Sequence, residues 1–260
     1  MKAEVGNWLH AAAPSGVGRI SYSSDQDGAT DWALAWPPLR GQAWVVHLHG
    51  HGSSGDQIFT RRDIADRWLA HYRKLGLGVL GPNLRGNAYM CPEAVADLHA
   101  LLAWVRGEYG ARQFYFLSGS MGGIGNLIYA ILHPEDVYAA AALGSATDLA
   151  SYHGWCCAHP GGIRDEIRLA IEAAYGGRPD QVPERYAAHS VTRHADRLVM
   201  PLLLAHGAAD EVIPVEQSRE LHGRLSGAQD VKYVEIAGGG HDAPLHDAGM
   251  LEWLDERYVS

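Results

Sequence analysis

Three residues spread along the chain have the types and settings that nucleophilic acyl chemistry requires. Ser120 stands in Ser118-Gly119-Ser120-Met121-Gly122-Gly123. Before it runs the apolar stretch Phe114 to Leu117; after it, Ile124, Leu127, Ile128, Ile131 and Leu132 recur at helical spacing. A buried strand, a small-residue turn and a helix can hold a serine at the tip of a strained bend. Its hydroxyl is then exposed, and the N–H groups of the helix start face whatever it attacks. A serine hydroxyl is a poor nucleophile until a base takes its proton, and the base needs a third group to orient it. Asp210 follows the strand Leu202 to Ala205 within His206-Gly207-Ala208-Ala209-Asp210. His241 follows the strand Val231 to Ile236 within Ala237-Gly238-Gly239-Gly240-His241. Each lies just past its own strand, and serine, acid, histidine is one of the known triad orders. The oxyanion of the transition state needs two donors. The N–H of Met121 is one, and the loop His49-Gly50-His51-Gly52 offers the N–H of His51 as the other.

Competing roles for these residues fit less well. The usual elbow is Gly-x-Ser-x-Gly, and this chain carries Ser118 at the first position, a residue still small enough for strand and helix to pass closely. A glycine-rich phosphate cradle would need a lysine after the glycines, and none follows. Asp210 could cap the helix Glu216 to Leu225, but Pro214 intervenes. Glu211 ranks below Asp210 as the acid, and Asp242 reads as a solvated neighbour of His241. His47, His49 and His51 recur at period two and could ligate a metal, but the strand is a buried one and no carboxylate completes the set. Cys156 and Cys157 with His159 and His153 form a weaker candidate, because adjacent cysteines point apart. No cofactor and no metal is expected.

The elements that must position these residues alternate. Val17 to Tyr22 and Trp32 to Trp36 read as two opening strands around the turn Asp25-Gln26-Asp27-Gly28, and Ala43 to Leu48 as the third. A helix follows over Ile58 to Leu75, a strand over Leu77 to Leu80, and a helix over Cys91 to Tyr109. Tyr138 to Leu143 is the next strand after the serine turn, and a final helix runs from Leu245 to Tyr258. The total is about eight strands, helix-linked from the third onward, which implies an α/β domain over 1–260 with a mostly parallel sheet covered on both faces. The opening pair should lie antiparallel at one edge. Asp148 to Arg197 is too long for a simple crossover and reads as an insertion placed like a lid.

Composition removes other classes. The 260 residues carry a net charge of −9, which argues against nucleic acid and against an anionic membrane surface. No apolar run approaches the ~18 residues of a membrane span, and the start lacks the apolar core of a secretory signal, so the expected setting is cytoplasmic. Cys91, Cys156 and Cys157 form no disulfide framework and suit a reducing compartment.

With these residues in hand, the chain resembles the α/β-hydrolase superfamily, in particular compact esterases and the catalytic domains of the prolyl-oligopeptidase-like branch. The likeness runs from about Ala43 to Tyr258. It rests on His49-Gly50, Ser120-Met121-Gly122-Gly123, His206-Gly207 with Asp210 and Pro214, and Gly240-His241, with Pro82-Asn83-Leu84-Arg85-Gly86 resembling a family stretch near the pocket. The resemblance implies acyl transfer through an acyl-enzyme on Ser120, with His241 as base and Asp210 orienting it. A small-molecule or carbohydrate-linked carboxylic ester is the expected substrate, with Tyr89, Tyr152 and Trp155 as candidates to stack on a ring. A serine peptidase for short peptides is the nearest alternative, though that branch usually carries a gating domain for which this chain has no room. A non-catalytic binding protein on the same fold is the alternative of a different class. The chain could act alone or as a homo-oligomer.

Overall fold

The computed structural model describes residues 1–11, 14–225, 227, 230–247 and 249–258. Among them nine strands form one sheet: β1 Lys2–Asn7, β2 Gly18–Ser23, β3 Thr30–Trp36, β4 Ala43–Val46, β5 Gly78–Pro82, β6 Gln113–Gly119, β7 Ala139–Leu143, β8 Leu202–Gly207 and β9 Val231–Ile236. Their order is β1-β2-β3-β5-β4-β6-β7-β8-β9. β1, β2, β3 and β5 pair antiparallel in succession, and every pairing from β5 through β4 to β9 is parallel. The expected antiparallel edge is present, extended outward by β1. That strand was not foreseen, because five of its six residues are exposed and it carries no alternation to read.

The central strands are buried on both faces, with alternate residues going to opposite layers. Trp44 and Val46 enter the layer that holds Leu98, Leu101 and Leu127, while Val45 joins Ile58, Trp68 and Trp253 on the other. The helices around the sheet are α1 Gln57–Thr60, α2 Arg62–Ile64, α3 Ala70–Leu75, α4 Pro92–Tyr109, α5 Ser120–Leu132, α6 Leu149–Ala158, α7 Ile163–Tyr175, α8 Pro183–Ala188, α9 Glu216–Arg224, α10 Ala243–Asp247 and α11 Met250–Arg257.

Two expected helices are broken. The stretch from Ile58 to Leu75 is interrupted at Arg61, which is extended (φ −78°, ψ 100°), and passes through a π-helical turn at Ala65–Leu69. At this break the Arg61 side chain reaches both Asp63 and Asp242. The last helix divides at Gly249, whose left-handed backbone (φ 64°) ends one axis and starts another.

The segment between β7 and β8 is helical throughout much of its length, comprising α6, α7, α8 and a short turn at Ala195–Arg197. Asp148 caps α6 by accepting the Ser151 N–H (2.7 Å), and Gln217 of α9 accepts the Thr147 and Asp148 N–H groups (3.0 Å each). The direction of chain progression reverses at β4, which lies between β5 and β6. In open parallel sheets that reversal leaves a crevice beyond the carboxyl ends of the strands, and ligands bind there. The loop after β4 and the serine turn after β6 both open onto it.

Candidate active site

Ser120 is the first residue of α5, directly after β6, and its backbone lies in the left-handed region (φ 54°). A non-glycine residue there is strained, and such strain persists only where the surroundings fix it. Close packing does so. A Cβ on Gly122 would sit 2.0 Å from the Leu48 carbonyl oxygen, and one on Gly123 would sit 1.8 Å from Ser145 Oγ. The departure at Ser118 has a structural purpose that spacing could not reveal. Its buried hydroxyl accepts the Leu48 N–H (2.9 Å) and donates to Asn126 Oδ1 (3.3 Å), tying β4, β6 and α5 together beneath the turn.

The structure brings Ser120, Asp210 and His241 together. His241 Nδ1–H donates to Asp210 Oδ2 (2.7 Å), so Nε2 is left to accept the Ser120 hydroxyl (2.9 Å). A glycine makes the approach of the two loops possible. A Cβ on Gly207 would meet the Gly239 and Gly240 carbonyl oxygens at 2.3 Å. The Asp210 carboxylate is fully buried. Its Oδ1 accepts the Val212 (2.8 Å) and Ile213 (3.0 Å) N–H groups, and His206 Nε2 lies 3.3 Å from Oδ2. Burial alone would raise the Asp210 pKa, but hydrogen bonds from His206 and His241 hold it well below the usual carboxylate range. An anionic Asp210 both fixes the His241 tautomer and stabilises an imidazolium. His206, itself buried and bonded to Ser218 Oγ (2.7 Å) and the Ile213 carbonyl (3.0 Å), positions the acid. In the sequence it is marked only by the His206-Gly207 motif.

The backbone amides expected to act as oxyanion donors lie at the loop after β4 and at the start of α5. Gly50 N–H is taken by Gln57 Oε1 (2.9 Å) and Gly52 N–H by Asn87 Oδ1 (2.8 Å). The His51 N–H between them makes no hydrogen bond among the described residues, while the His51 ring is held at Nδ1 by the Tyr89 hydroxyl (3.0 Å). Met121 N–H belongs to the first turn of α5, where amides have no intrahelical acceptor. A cavity of about 180 Å³ opens beside Ser120 and His241. Its apolar walls include Ile64, Trp68, Leu245 and, from the insertion, Ile163 and Ile167. In the sequence these five read only as helix residues, because nothing in their spacing distinguishes a cavity wall from a core.

The three expected stacking residues need correction, since none lines this cavity. Tyr152 is fully buried and donates to the Val212 carbonyl (3.0 Å). Tyr89 is 3 % exposed and supports the His51 loop. Trp155 stacks on His159 (4.6 Å between ring centroids). Arg85 likewise turns from the site to Asp27 and Asp97. The histidines at period two do not converge on one point: His47 contacts the Leu117 carbonyl, His49 bridges Gly50 and Asn83, and His51 meets Tyr89. Nor do the cysteines and their histidines, where His153 pairs with Glu172 and His159 with the Trp155 carbonyl. Among the described residues, His99, His133 and Asp136 come within 4.8 Å of one another, but the Asp136 carboxylate is already engaged by Arg106 and Tyr129.

No family model matches the chain. Over 226 residues it is 29% identical to esterase LipC of Mycobacterium tuberculosis, a match covering 80% of this chain and 52% of LipC. The chain therefore spans about half the length of that curated relative. Among solved structures, the Pyrococcus furiosus esterase Pf2001 superposes with a TM-score of 0.70 at 16% identity, covering 98% of this chain and 96% of that one. Pyrococcus horikoshii acylaminoacyl peptidase superposes with a TM-score of 0.64 at 15% identity, covering 93% of this chain and 41% of that one. The fold is that of the α/β-hydrolases, as the motifs implied. Among the described residues no helix is long and apolar enough to cross a membrane.

Proposed function

We propose that this α/β-hydrolase-fold chain is a serine carboxylic ester hydrolase acting on small-molecule or carbohydrate-linked esters. The observation that carries the reading is the hydrogen-bonded run from Ser120 Oγ through His241 to buried Asp210. In the reaction, His241 Nε2 takes the Ser120 proton as Oγ attacks the ester carbonyl carbon. The His51 and Met121 N–H groups stabilise the oxyanion, and His241 then protonates the departing alkoxide. Water, deprotonated by the same nitrogen, releases the acid from the acyl-enzyme. Single-domain organisation and a cover formed by 148–197 belong to this reading, supported by Ile163 and Ile167 on the cavity wall. Three free cysteines suit a cytoplasmic setting. The kinship in sequence to an esterase supports an ester over a peptide substrate.

The test is turnover of p-nitrophenyl esters, acetate through decanoate, by the wild type and Ser120→Ala. Rapid hydrolysis reduced ~10³-fold or more in the variant is expected. Turnover of aminoacyl or peptidyl anilides with barely any ester hydrolysis would favour the peptidase. Full activity in Ser120→Ala would remove the assignment of the nucleophile.

A further inference from the structure

The hydrolytic steps use only the backbone of His51, and its ring has a place of its own beside Ser120. His51 lines the cavity and is partly buried. The Tyr89 hydroxyl lies 3.0 Å from its Nδ1. Tyr89 is buried, and burial holds its pKa well above the usual phenol range, so the hydroxyl keeps its hydrogen. That hydrogen has no other acceptor among the described residues, so Tyr89 donates and Nδ1 accepts. Burial also lowers the His51 pKa, which keeps the ring neutral at pH 7. A neutral imidazole whose Nδ1 accepts carries its hydrogen on Nε2. Nε2 makes no hydrogen bond among the described residues and, unlike His47 Nε2, is not sealed from solvent. The ring therefore presents one N–H donor at the cavity.

The loop that carries Tyr89 is held against the His51 loop. Leu84, Arg85, Tyr89 and Met90 all have left-handed backbones (φ 43° to 64°). Such strain in non-glycine residues persists only where the surroundings fix it. Here Asn87 Oδ1 accepts the Gly52 N–H (2.8 Å), His49 Nε2 meets the Asn83 carbonyl (2.9 Å), and Tyr175 of the insertion donates to the Tyr89 carbonyl (3.2 Å). The His51 ring also feels the charge of Glu166, which stands on α7 between the cavity-wall residues Ile163 and Ile167. The donor thus lies on the side of the cavity that the insertion bounds. Glu166 there, and Asp242 on the wall, disfavour a substrate anion, so an uncharged acceptor is the matching group. An ether or carbonyl oxygen accepts without donating, whereas a methylene in its place leaves the N–H against carbon.

We propose that the His51 imidazole, oriented by the Tyr89 hydroxyl, is a specificity-determining donor, so that the preferred esters carry an uncharged acceptor oxygen besides those of the ester group. The inference rests on Ser120 being the nucleophile of an ester hydrolase. The oxygen can stand in the acyl or in the alcohol portion, and matched isosteres separate the two. The acyl arm compares methyl pentanoate with methyl 3-methoxypropanoate, and the alcohol arm compares butyl acetate with 2-methoxyethyl acetate. Both are followed by proton release in a pH-stat, and each ratio is divided by that for hydroxide-catalysed hydrolysis to remove the inductive effect of the oxygen. Wild-type kcat/KM is expected to favour the ether of one pair by ~5-fold, the worth of one net hydrogen bond. The arm that responds identifies the portion. In Tyr89→Phe and His51→Phe that ratio is expected to fall toward one, whereas a merely structural role would slow both members of a pair alike. A wild-type preference that persists unchanged in a folded His51→Phe would overturn the role of the ring. The wild-type ratio decides even where a variant fails to fold. Ratios near or below one in both arms, with all four esters hydrolysed, would overturn the recognition and leave the ester hydrolase standing. No turnover of any ester, or equal turnover in Ser120→Ala, would overturn both.

Discussion

At the scale of single residues, Asp210 sets the polarity of the site. It is anionic, buried, and bonded to two backbone amides as well as to His241. Asp210→Asn keeps the shape but no longer enforces the Nδ1–H tautomer of His241, so kcat for esters is expected to fall by ~10⁴-fold with the fold retained. Steady-state kinetics alongside a thermal melt checks both halves. A second residue-scale consequence concerns acid. Burial pushes His47 and His189 down to about 4 each, from an ordinary 6.5. Between those values the unfolded chain binds protons that the native protein does not, so stability falls as pH falls. The contribution is complete above pH 6.5 and is lost as pH descends through about 4. For His47, which is fully buried, the shift corresponds to ~3 kcal/mol. Urea midpoints should be level near pH 7 and drop steadily between pH 6.5 and 4, and a midpoint that rises on acidification would contradict the buried neutral rings.

At the scale of elements, the serine turn depends on how β4, β6 and α5 are tied together. Ser118→Ala removes the acceptor of the buried Leu48 N–H and is expected to destabilise the protein by ~1–3 kcal/mol, read from denaturant titration. Ser118→Gly would do the same even though it restores the common motif, because the hydroxyl and not only its small size is used. Spacing made the turn legible: strand, small residues and helix each leave a pattern. That Asp210 and His241 meet Ser120 was legible for the same reason, since each follows a short apolar strand. What was not legible depends on tertiary contact. β1 is an exposed edge, and the helix is interrupted at Arg61, whose side chain meets Asp242, 181 residues away in sequence. Tyr152 looks like a ligand-stacking aromatic until its hydroxyl is seen bonded to Val212 in the core. An aromatic in an insertion carries no sequence mark that separates packing from recognition.

At the scale of the whole molecule, the sheet delivers the loops after β4, β6, β8 and β9 to one crevice, and Ile163 and Ile167 of the insertion between β7 and β8 line its wall. The cavity of about 180 Å³ beside Ser120 has room for a short acyl group. Activity across the p-nitrophenyl series should therefore peak at short chains and decline well before decanoate. Ile167→Ala, which opens the wall from the insertion side, is expected to shift the optimum toward longer acyl groups and raise KM for the shortest. An unchanged profile would show that α7 does not bound the acyl site. The most direct measurement of the central claim is mass-spectrometric mapping after exposure to a fluorophosphonate, which phosphonylates activated serines. One adduct per chain on Ser120, formed much more slowly in His241→Ala, is the expected result. Labelling at another serine, or none at Ser120 in a folded and ester-hydrolysing protein, would contradict it.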